Sequence, residues 1–263
     1  MINYPFVAAL SIIAYLFATG LLLYQLYKKP IIKWSILVAS LAFILHAITL
    51  WVIIYDQGRL DFSLFNMGSL VSLTIVGLII LSSLFKPVEI MGILFFPVAV
   101  ITIILSYSVM GHYLVDTHSV HLFSHILLSI LAYSLLSIAA VQAILVWFQN
   151  KQLHNHHPAG LLRFLPPLQT METLLFEIIA LGTLFLTTSL ISGFIYLEDM
   201  FAQHVAHKTV LGLLSWSTFT VLLWGRHYRG WRGKRATTFV LAGFGFLMLA
   251  YFGSKLAKEF IIS

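Results

Sequence analysis

Eight long apolar segments constrain this chain more than any other feature of its sequence. A helix needs roughly 20 mostly apolar residues to cross the hydrocarbon core of a bilayer. Backbone polar groups find no water there, so segments of this kind must be helical. The sequence therefore predicts an all-α membrane protein, a bundle of eight transmembrane helices in a single integral membrane domain, 1–263. The predicted spans are 5–26, 34–55, 64–85, 88–110, 121–148, 171–197, 207–225 and 236–257.

The composition supports this class and excludes several kinds of chemistry. Hydrophobic residues make up 60% of the chain and charged residues only 9%, against about 25% charged in soluble domains. There is no cysteine, which excludes disulfides, thiolate metal sites and thiol catalysis. The sequence contains no nucleotide-binding loop, hydrolase elbow or nuclease-like carboxylate cluster. We therefore expect the lipid bilayer as a partner, no nucleic acid, and no enzymatic activity.

Positive charge is distributed unevenly between the connections of the predicted spans. Eleven of the fifteen lysines and arginines follow spans one, three, five and seven, which the positive-inside tendency assigns to the cytoplasmic side. Both termini are then predicted to lie outside. The largest group is residues 226–235, called the basic loop below. It is interpreted either as a topology anchor in the headgroup region or as a site for anionic lipid or a heme propionate.

Predicted span five carries a polar stripe at a spacing of four residues. Its members are His121, His125, Ser129, Tyr133 and Ser137, which share one helix face. Imidazoles are costly in lipid and normally face protein, a cavity or a ligand. We interpret His121 as an interfacial polar residue. The polar outer half of span six is expected to bond to its own helix or to this face.

A second histidine lies within a span, in the stretch LAFILHAITLW. His46 has no charged neighbour within nine residues. It is either a neutral side chain hydrogen-bonded to another helix, or a ligand for heme or a metal, or a proton-handling group.

Other polar residues carry weaker signals. His204 and His207, three residues apart, are either solvated or a metal pair. The cluster His154-His156-His157 has no assigned role beyond adventitious metal binding. Glu177 in span six is expected to form a structural ion pair, and a carrier role for it is the weaker alternative.

Five motifs in the same order resemble one family. LAFILHAITLW, with His46, is similar to its membrane-histidine stretch, and DFSLFNMGSLVSL matches through Asn66 and Ser69. SHILLSILAYSLLSIA matches through His125 and Tyr133. GTLFLTTSLISGFIY, and then RGWRGKRA with YFGSKL, match its later spans. The chain resembles cytochrome c assembly proteins of the CcsA/CcmC-like heme-handling superfamily, most closely its YpjD/HemX-like inner-membrane branch.

The resemblance implies a cofactor, a location and partners. It implies non-covalently bound heme b with His46 and His125 as ligands of the iron, and His207 as an outer candidate. It further implies a multi-pass protein of the bacterial inner membrane that takes part in heme handling, heme transport or cytochrome c assembly. The implied partners are cytochrome c maturation or heme-biosynthesis proteins.

The chain departs from the family in one outer segment. Assembly members carry a tryptophan-rich loop there, whereas YLEDMFAQHVAHKTV contains no tryptophan and retains only Lys208. We therefore expect a protein that positions heme without itself catalysing thioether formation. The alternative is a heme-free membrane scaffold or regulatory accessory subunit for a partner enzyme or transporter.

Overall fold

The computed structural model of the chain consists almost entirely of helices. It describes residues 4–28, 34–56, 59–86, 88–109, 114–116, 120–154, 165–196, 206–254 and 256. Within these ranges there are eight α-helices. They are α1 (Tyr4–Lys28), α2 (Trp34–Ile54), α3 (Leu64–Ser83), α4 (Gly92–Ser108), α5 (Val120–His154), α6 (Leu168–Tyr196), α7 (Ala206–Arg229) and α8 (Gly233–Met248).

Seven of the helical segments are long and apolar enough to cross a membrane. They confirm the all-α membrane class, and the predicted spans one to six and eight agree with them to within a few residues. Helix α7 coincides with the predicted seventh span but is not among the seven. Its apolar stretch is diluted by hydroxyl side chains at Ser215, Ser217, Thr218 and Thr220. Its crossing of the membrane, and the orientation of the termini, stay predictions.

The chain divides into two compact units, Met1–His118 and Ser119–Ser263. Helices α1 to α4 belong to the first unit and α5 to α8 to the second. Each unit has its own buried apolar cluster. The single membrane domain stays a prediction.

In the first unit, small residues let the helices pack closely. Helix α1 packs on α2 and α4, and α3 packs on α2 and α4. Tyr15 and Phe96 fill the centre with no exposed surface. The remaining contact positions are largely alanine, as is typical of membrane helix interfaces. They include Ala8, Ala14, Ala18, Ala39, Ala42 and Ala99.

A small antiparallel sheet in the first unit was not predicted. Its strands are β1 (Tyr55–Asp56), β2 (Arg59–Asp61) and β3 (Leu114–Asp116), in the order β1-β2-β3. In the backbone register of the strands, Asp56 of β1 lies opposite Arg59 of β2, and Arg59 lies opposite Asp116 of β3. The sheet therefore joins the connection after α2 to the segment that follows α4.

In the second unit, α5 packs along α6 and also on α8, while α7 packs on α6 and α8. Gly182 of α6 faces α5 so closely that a Cβ would lie 2.9 Å from the Leu136 side chain. Gly243 of α8 is similarly close to Phe219 of α7, at 2.9 Å. Positions 182 and 243 therefore have no room for a side chain, which lets the paired helices lie at short separations.

Candidate functional site

His125 lies near the start of α5 and bonds to α6 through one ring nitrogen. Its Nδ1 lies 3.0 Å from the Ser189 carbonyl oxygen and 3.0 Å from the Ser192 hydroxyl oxygen. A carbonyl oxygen only accepts, so Nδ1 carries the proton and Nε2 retains its lone pair. In the described part of the chain no hydrogen bond to Nε2 is recorded. The half-buried ring is thus held in place with its metal-binding nitrogen available.

A second contact between the same two helices lies one turn further along α5. The Ser129 hydroxyl bonds to the His125 carbonyl at 2.8 Å and lies 2.7 Å from the Ser189 hydroxyl. The Ser192 hydroxyl also donates to the Ser189 carbonyl. These bonds confirm that part of the polar half of span six reaches the histidine face of span five.

The rest of that polar half bonds locally. Hydroxyls of Thr183, Thr187 and Thr188 donate to carbonyls three or four residues earlier in α6. Thr187 also accepts a hydrogen bond from the Trp216 indole of α7, at 2.8 Å. Both of the alternatives expected for this segment therefore occur, at different residues.

Tyr133 continues the polar stripe of α5 but contacts α8. Its hydroxyl donates to the Leu247 carbonyl and also bonds to the Tyr251 backbone. At this point α8 widens into a π turn, Leu249–Gly253. A side chain inserted between a carbonyl and the amide four residues later is a known cause of such widening. The residues of the polar stripe on α5 therefore bond to two neighbouring helices, α6 and α8.

His46 has a different environment, in the core of the first unit. Its Nε2 lies 2.9 Å from the Ser69 hydroxyl of α3, and its Nδ1 lies 3.4 Å from the Tyr15 hydroxyl of α1. The Tyr15 ring meets the imidazole edge-on at 5.9 Å. The His46 side chain has no exposed surface. This geometry corresponds to the interpretation of His46 as a neutral histidine bonded to other helices.

Asn66, a second family-matching residue, belongs to a neighbouring polar network. Its amide nitrogen lies 3.2 Å from both the carbonyl and a carboxylate oxygen of Asp61, and its amide oxygen accepts from Ser106 at 2.6 Å. A similar pair, Ser72 and Thr102, joins α3 and α4 at 2.7 Å. Sequence reasoning missed Ser106 and Thr102, as it missed Tyr15, although a polar residue within an apolar span was a usable signal for all three.

The other candidate residues are dispersed. His121 is exposed and stacks on Tyr196 with ring centroids 4.1 Å apart, as expected of an interfacial residue. His207 is exposed in the first turn of α7, and Glu177 is exposed on α6. Among the residues that the structure describes, no group of three histidine or carboxylate side chains could hold a metal ion. His204, His156, His157 and Arg163, and the His154 side chain, lie outside the described residues.

The fold and these histidines define a class: a multi-pass, all-helical membrane protein that keeps imidazoles within its spans. A sequence profile described as "Cytochrome C assembly protein" matches residues 34–262. The chain belongs to this family, which confirms the predicted resemblance.

Individual relatives agree with this assignment. The "Inner membrane protein YpjD" of Escherichia coli strain K12 is 32% identical over 263 residues, covering 98% of this chain and 99% of the relative. An "Uncharacterized 28.8 kDa protein in nifR3-like 5'region" of Azospirillum brasilense is 31% identical over 140 residues, 52% of each chain. "Cytochrome c biogenesis protein CcsA" of Chlamydomonas reinhardtii is 26% identical over 52% of this chain and 38% of its own length. No solved structure matches the chain. The predicted location, a bacterial inner membrane crossed several times, is confirmed.

Proposed function

We propose that the protein binds heme b non-covalently in the inner membrane and takes part in heme handling or cytochrome c assembly. The observation that carries this proposal is the geometry of His125. Its Nδ1 is anchored by the Ser189 carbonyl and the Ser192 hydroxyl, which hold the ring in one orientation, and Nε2 bonds to none of the residues that the structure describes. Imidazoles that bind iron commonly donate their other ring proton to a backbone carbonyl in this way.

The residues of this site fit such a group. Heme, when bound, would supply an iron that accepts a neutral imidazole nitrogen as a ligand. His125 would hold it, and the Ser189 and Ser192 bonds would fix the ring against rotation. His207, exposed on the same unit, remains an outer candidate. The protein would position heme and would not itself catalyse thioether formation, because the outer segment YLEDMFAQHVAHKTV lacks the tryptophans that assembly members carry there.

His46 fits less well in the arrangement described. Both of its nitrogens have partners, so ligation through Nε2 would require the Ser69 bond at 2.9 Å to be released. Pairing of His46 with His125 on one heme stays a prediction of the family resemblance.

The test is an absorption spectrum of the full-length protein, purified from cells supplied with ample heme. We expect a Soret band in the wild type and a loss of at least about tenfold in His125→Ala, because truncation removes the ligand. His121→Ala is the matched control: the same substitution, one turn earlier on the same helix, at an exposed residue. A wild type without a Soret band, or a band that His125→Ala leaves unchanged, would refute the proposal.

A second variant separates ligation from folding. In His125→Gly, added imidazole can occupy the vacated space and restore the band only if the missing ring was a ligand. The spectrum of His46→Ala decides the paired prediction. Heme that is retained but changes from low to high spin indicates that His46 is the second ligand, whereas an unchanged spin state indicates that it is not.

A heme-free scaffold or regulatory accessory subunit is the second candidate. The saturated hydrogen bonding of His46 favours it, because a residue at the family's histidine position then serves helix packing. The partner would be a heme-biosynthesis or cytochrome c maturation protein, or a transporter. A partner that co-purifies in stoichiometric amount without any Soret band supports the scaffold and opposes the heme proposal.

A further inference from the structure

The basic loop concentrates positive charge at the turn between α7 and α8. Five of the fifteen lysines and arginines lie within its ten residues, and it contains no Asp or Glu. Four of the five are exposed, and Arg226 is partly buried. Within the described ranges of the chain, no ion pair is recorded for any of them. This charge is therefore left to be balanced by something other than those residues.

Aromatic rings hold three of the guanidinium groups in place. The Arg226 guanidinium lies 4.5 Å from the ring centroid of Phe176 in α6. Those of Arg229 and Arg235 lie 5.2 Å from the rings of Trp224 and Trp231. A guanidinium stacked on a ring keeps its in-plane N–H donors free for a second partner. The arginines are thus oriented before any anion arrives.

The turn itself has a fixed backbone. Gly230 and Gly233 adopt positive φ angles of 64° and 58°, a region that glycine enters without strain. The Trp231 amide donates to the Gly225 carbonyl at 3.2 Å, and its ring covers Gly225 so closely that a Cβ there would lie 2.3 Å away. The cations therefore project from a rigid support.

The position of the turn indicates what surrounds it. The apolar span Gly233–Gly253 begins within the basic loop, so the loop lies at the boundary of the hydrocarbon core. Trp224 and Tyr228 are 49% and 70% exposed, and such rings favour the headgroup region. The first backbone N–H groups of α8 also lie at this turn and receive no capping bond from the Arg232 side chain. They add partial positive charge.

We propose that the basic loop binds the phosphate of an anionic phospholipid in the leaflet that it borders. The chemistry is charge complementarity: stacked guanidinium donors and exposed helix-terminal amides face a lipid phosphate that carries a net negative charge. A zwitterionic headgroup brings its own cation and gains less. Lipid binding here does not require heme at His125, because none of the loop residues belongs to the His125 cluster.

The test compares two labelled lipids titrated into the full-length protein in an uncharged detergent. We expect phosphatidylglycerol to bind at least about tenfold more tightly than phosphatidylcholine, with weakening at high salt. The loop variant R229Q/R232Q/R235Q should lose at least tenfold in phosphatidylglycerol affinity, since each surface cation contributes up to about fivefold. The matched control K28Q/K29Q/K33Q removes three charges, at the last residue of α1 and in the connection to α2, and should change affinity less than twofold.

Three outcomes would overturn the proposal. Equal losses in the two triple variants would mean that affinity follows net charge rather than this loop. Equal binding of both lipids would mean that the loop does not recognise the net negative charge of the headgroup. Displacement of the lipid by millimolar inorganic phosphate would mean that the site takes free phosphate. If the triple variant does not fold, R229Q and R235Q are measured singly, and unchanged affinity in both would have the same consequence.

Discussion

At the scale of single residues, two histidines within spans differ in how many of their nitrogens are used. Among the described residues, His125 bonds through Nδ1 only, to Ser189 and Ser192. His46 bonds through both nitrogens, to Ser69 and Tyr15, and is completely enclosed. The His125 ring therefore keeps one nitrogen for a further ligand, while the His46 ring joins three helices. Their roles in the isolated chain differ even though both match the family's histidine positions.

The bond between Ser69 and His46 makes a measurable prediction. Ser69→Ala leaves the buried Nε2 without its partner, which we expect to lower the free energy of unfolding by about 1–3 kcal/mol. Equilibrium unfolding in mixed detergent micelles measures the change. The control is Ser40→Ala, because among the described residues the Ser40 side chain bonds only to the Ile36 carbonyl of its own helix. The loss of stability in this variant should stay within about 0.5 kcal/mol. Equal effects in both variants would mean that the contact with His46 contributes nothing.

Sequence reasoning identified these histidines but not their partners. A polar residue in an apolar span is conspicuous, and the family motifs selected His46 and His125. Their partners lie 31 and 64 residues away, at Tyr15 and Ser189. Which side chain they meet depends on how each helix is rotated about its axis, and that is decided by packing of many apolar residues together. For this reason the sequence left two alternatives open for the polar outer half of α6, bonds to its own helix or bonds to α5.

At the scale of secondary-structure elements, α5 is the helix through which the second unit is tied together. It reaches α6 through His125 and Ser129, and α8 through Tyr133. Further along, Thr237 of α8 donates to the Ala143 carbonyl of α5. A single polar stripe thus fixes the register of two neighbouring helices against α5.

The contact of Tyr133 with α8 predicts a local effect. Tyr133→Phe removes the hydroxyl that bonds to Leu247 and the Tyr251 backbone. We expect faster amide exchange over Leu249–Gly253 and a stability loss of about 1 kcal/mol. Hydrogen exchange detected by mass spectrometry measures this. Tyr228→Phe, at a residue that is 70% exposed, should leave exchange unchanged. A π turn that stays equally protected without the hydroxyl would show that the α8 sequence forms it unaided.

Helices were predictable here and the smaller elements were not. Apolar stretches of about 20 residues have only one solution in lipid, so even span boundaries were close. The strands β1, β2 and β3 contain only two or three residues each, too few to reveal alternation. The π turn has no composition of its own, and the tyrosine that bonds beside it, Tyr133, belongs to another helix.

At the scale of the whole molecule, charge distribution predicts the orientation in the membrane. Whether α7 crosses the membrane decides on which side the chain after α7 lies. If α7 crosses the membrane, the basic loop lies in the cytoplasm with the other lysine-rich connections. If α7 remains on the surface, the loop lies on the opposite side. The chain contains no cysteine, so a single introduced cysteine can be labelled without background from native thiols.

We expect a cysteine at Lys234, in the basic loop, to be protected from an impermeant maleimide in intact cells and to react after lysis. A cysteine at Ser119, in the predicted outer connection before α5, should react in intact cells and serves as the control. The physical reason is the retention of arginine and lysine on the cytoplasmic side. Labelling of both positions in intact cells would contradict the eight-span topology, whereas labelling of Lys234 without Ser119 would contradict the predicted orientation.

The complete enclosure of His46 has a consequence for the order of events during biogenesis. A side chain with no exposed surface exchanges partners only while its helices are apart, through a local opening whose free energy approaches that of unfolding. Anything that coordinates His46 would have to arrive as the first unit closes, and would then leave slowly. The half-buried His125 is free of this kinetic restriction. A ligand supplied to the finished protein would therefore reach only His125. A ligand supplied during synthesis would reach both histidines.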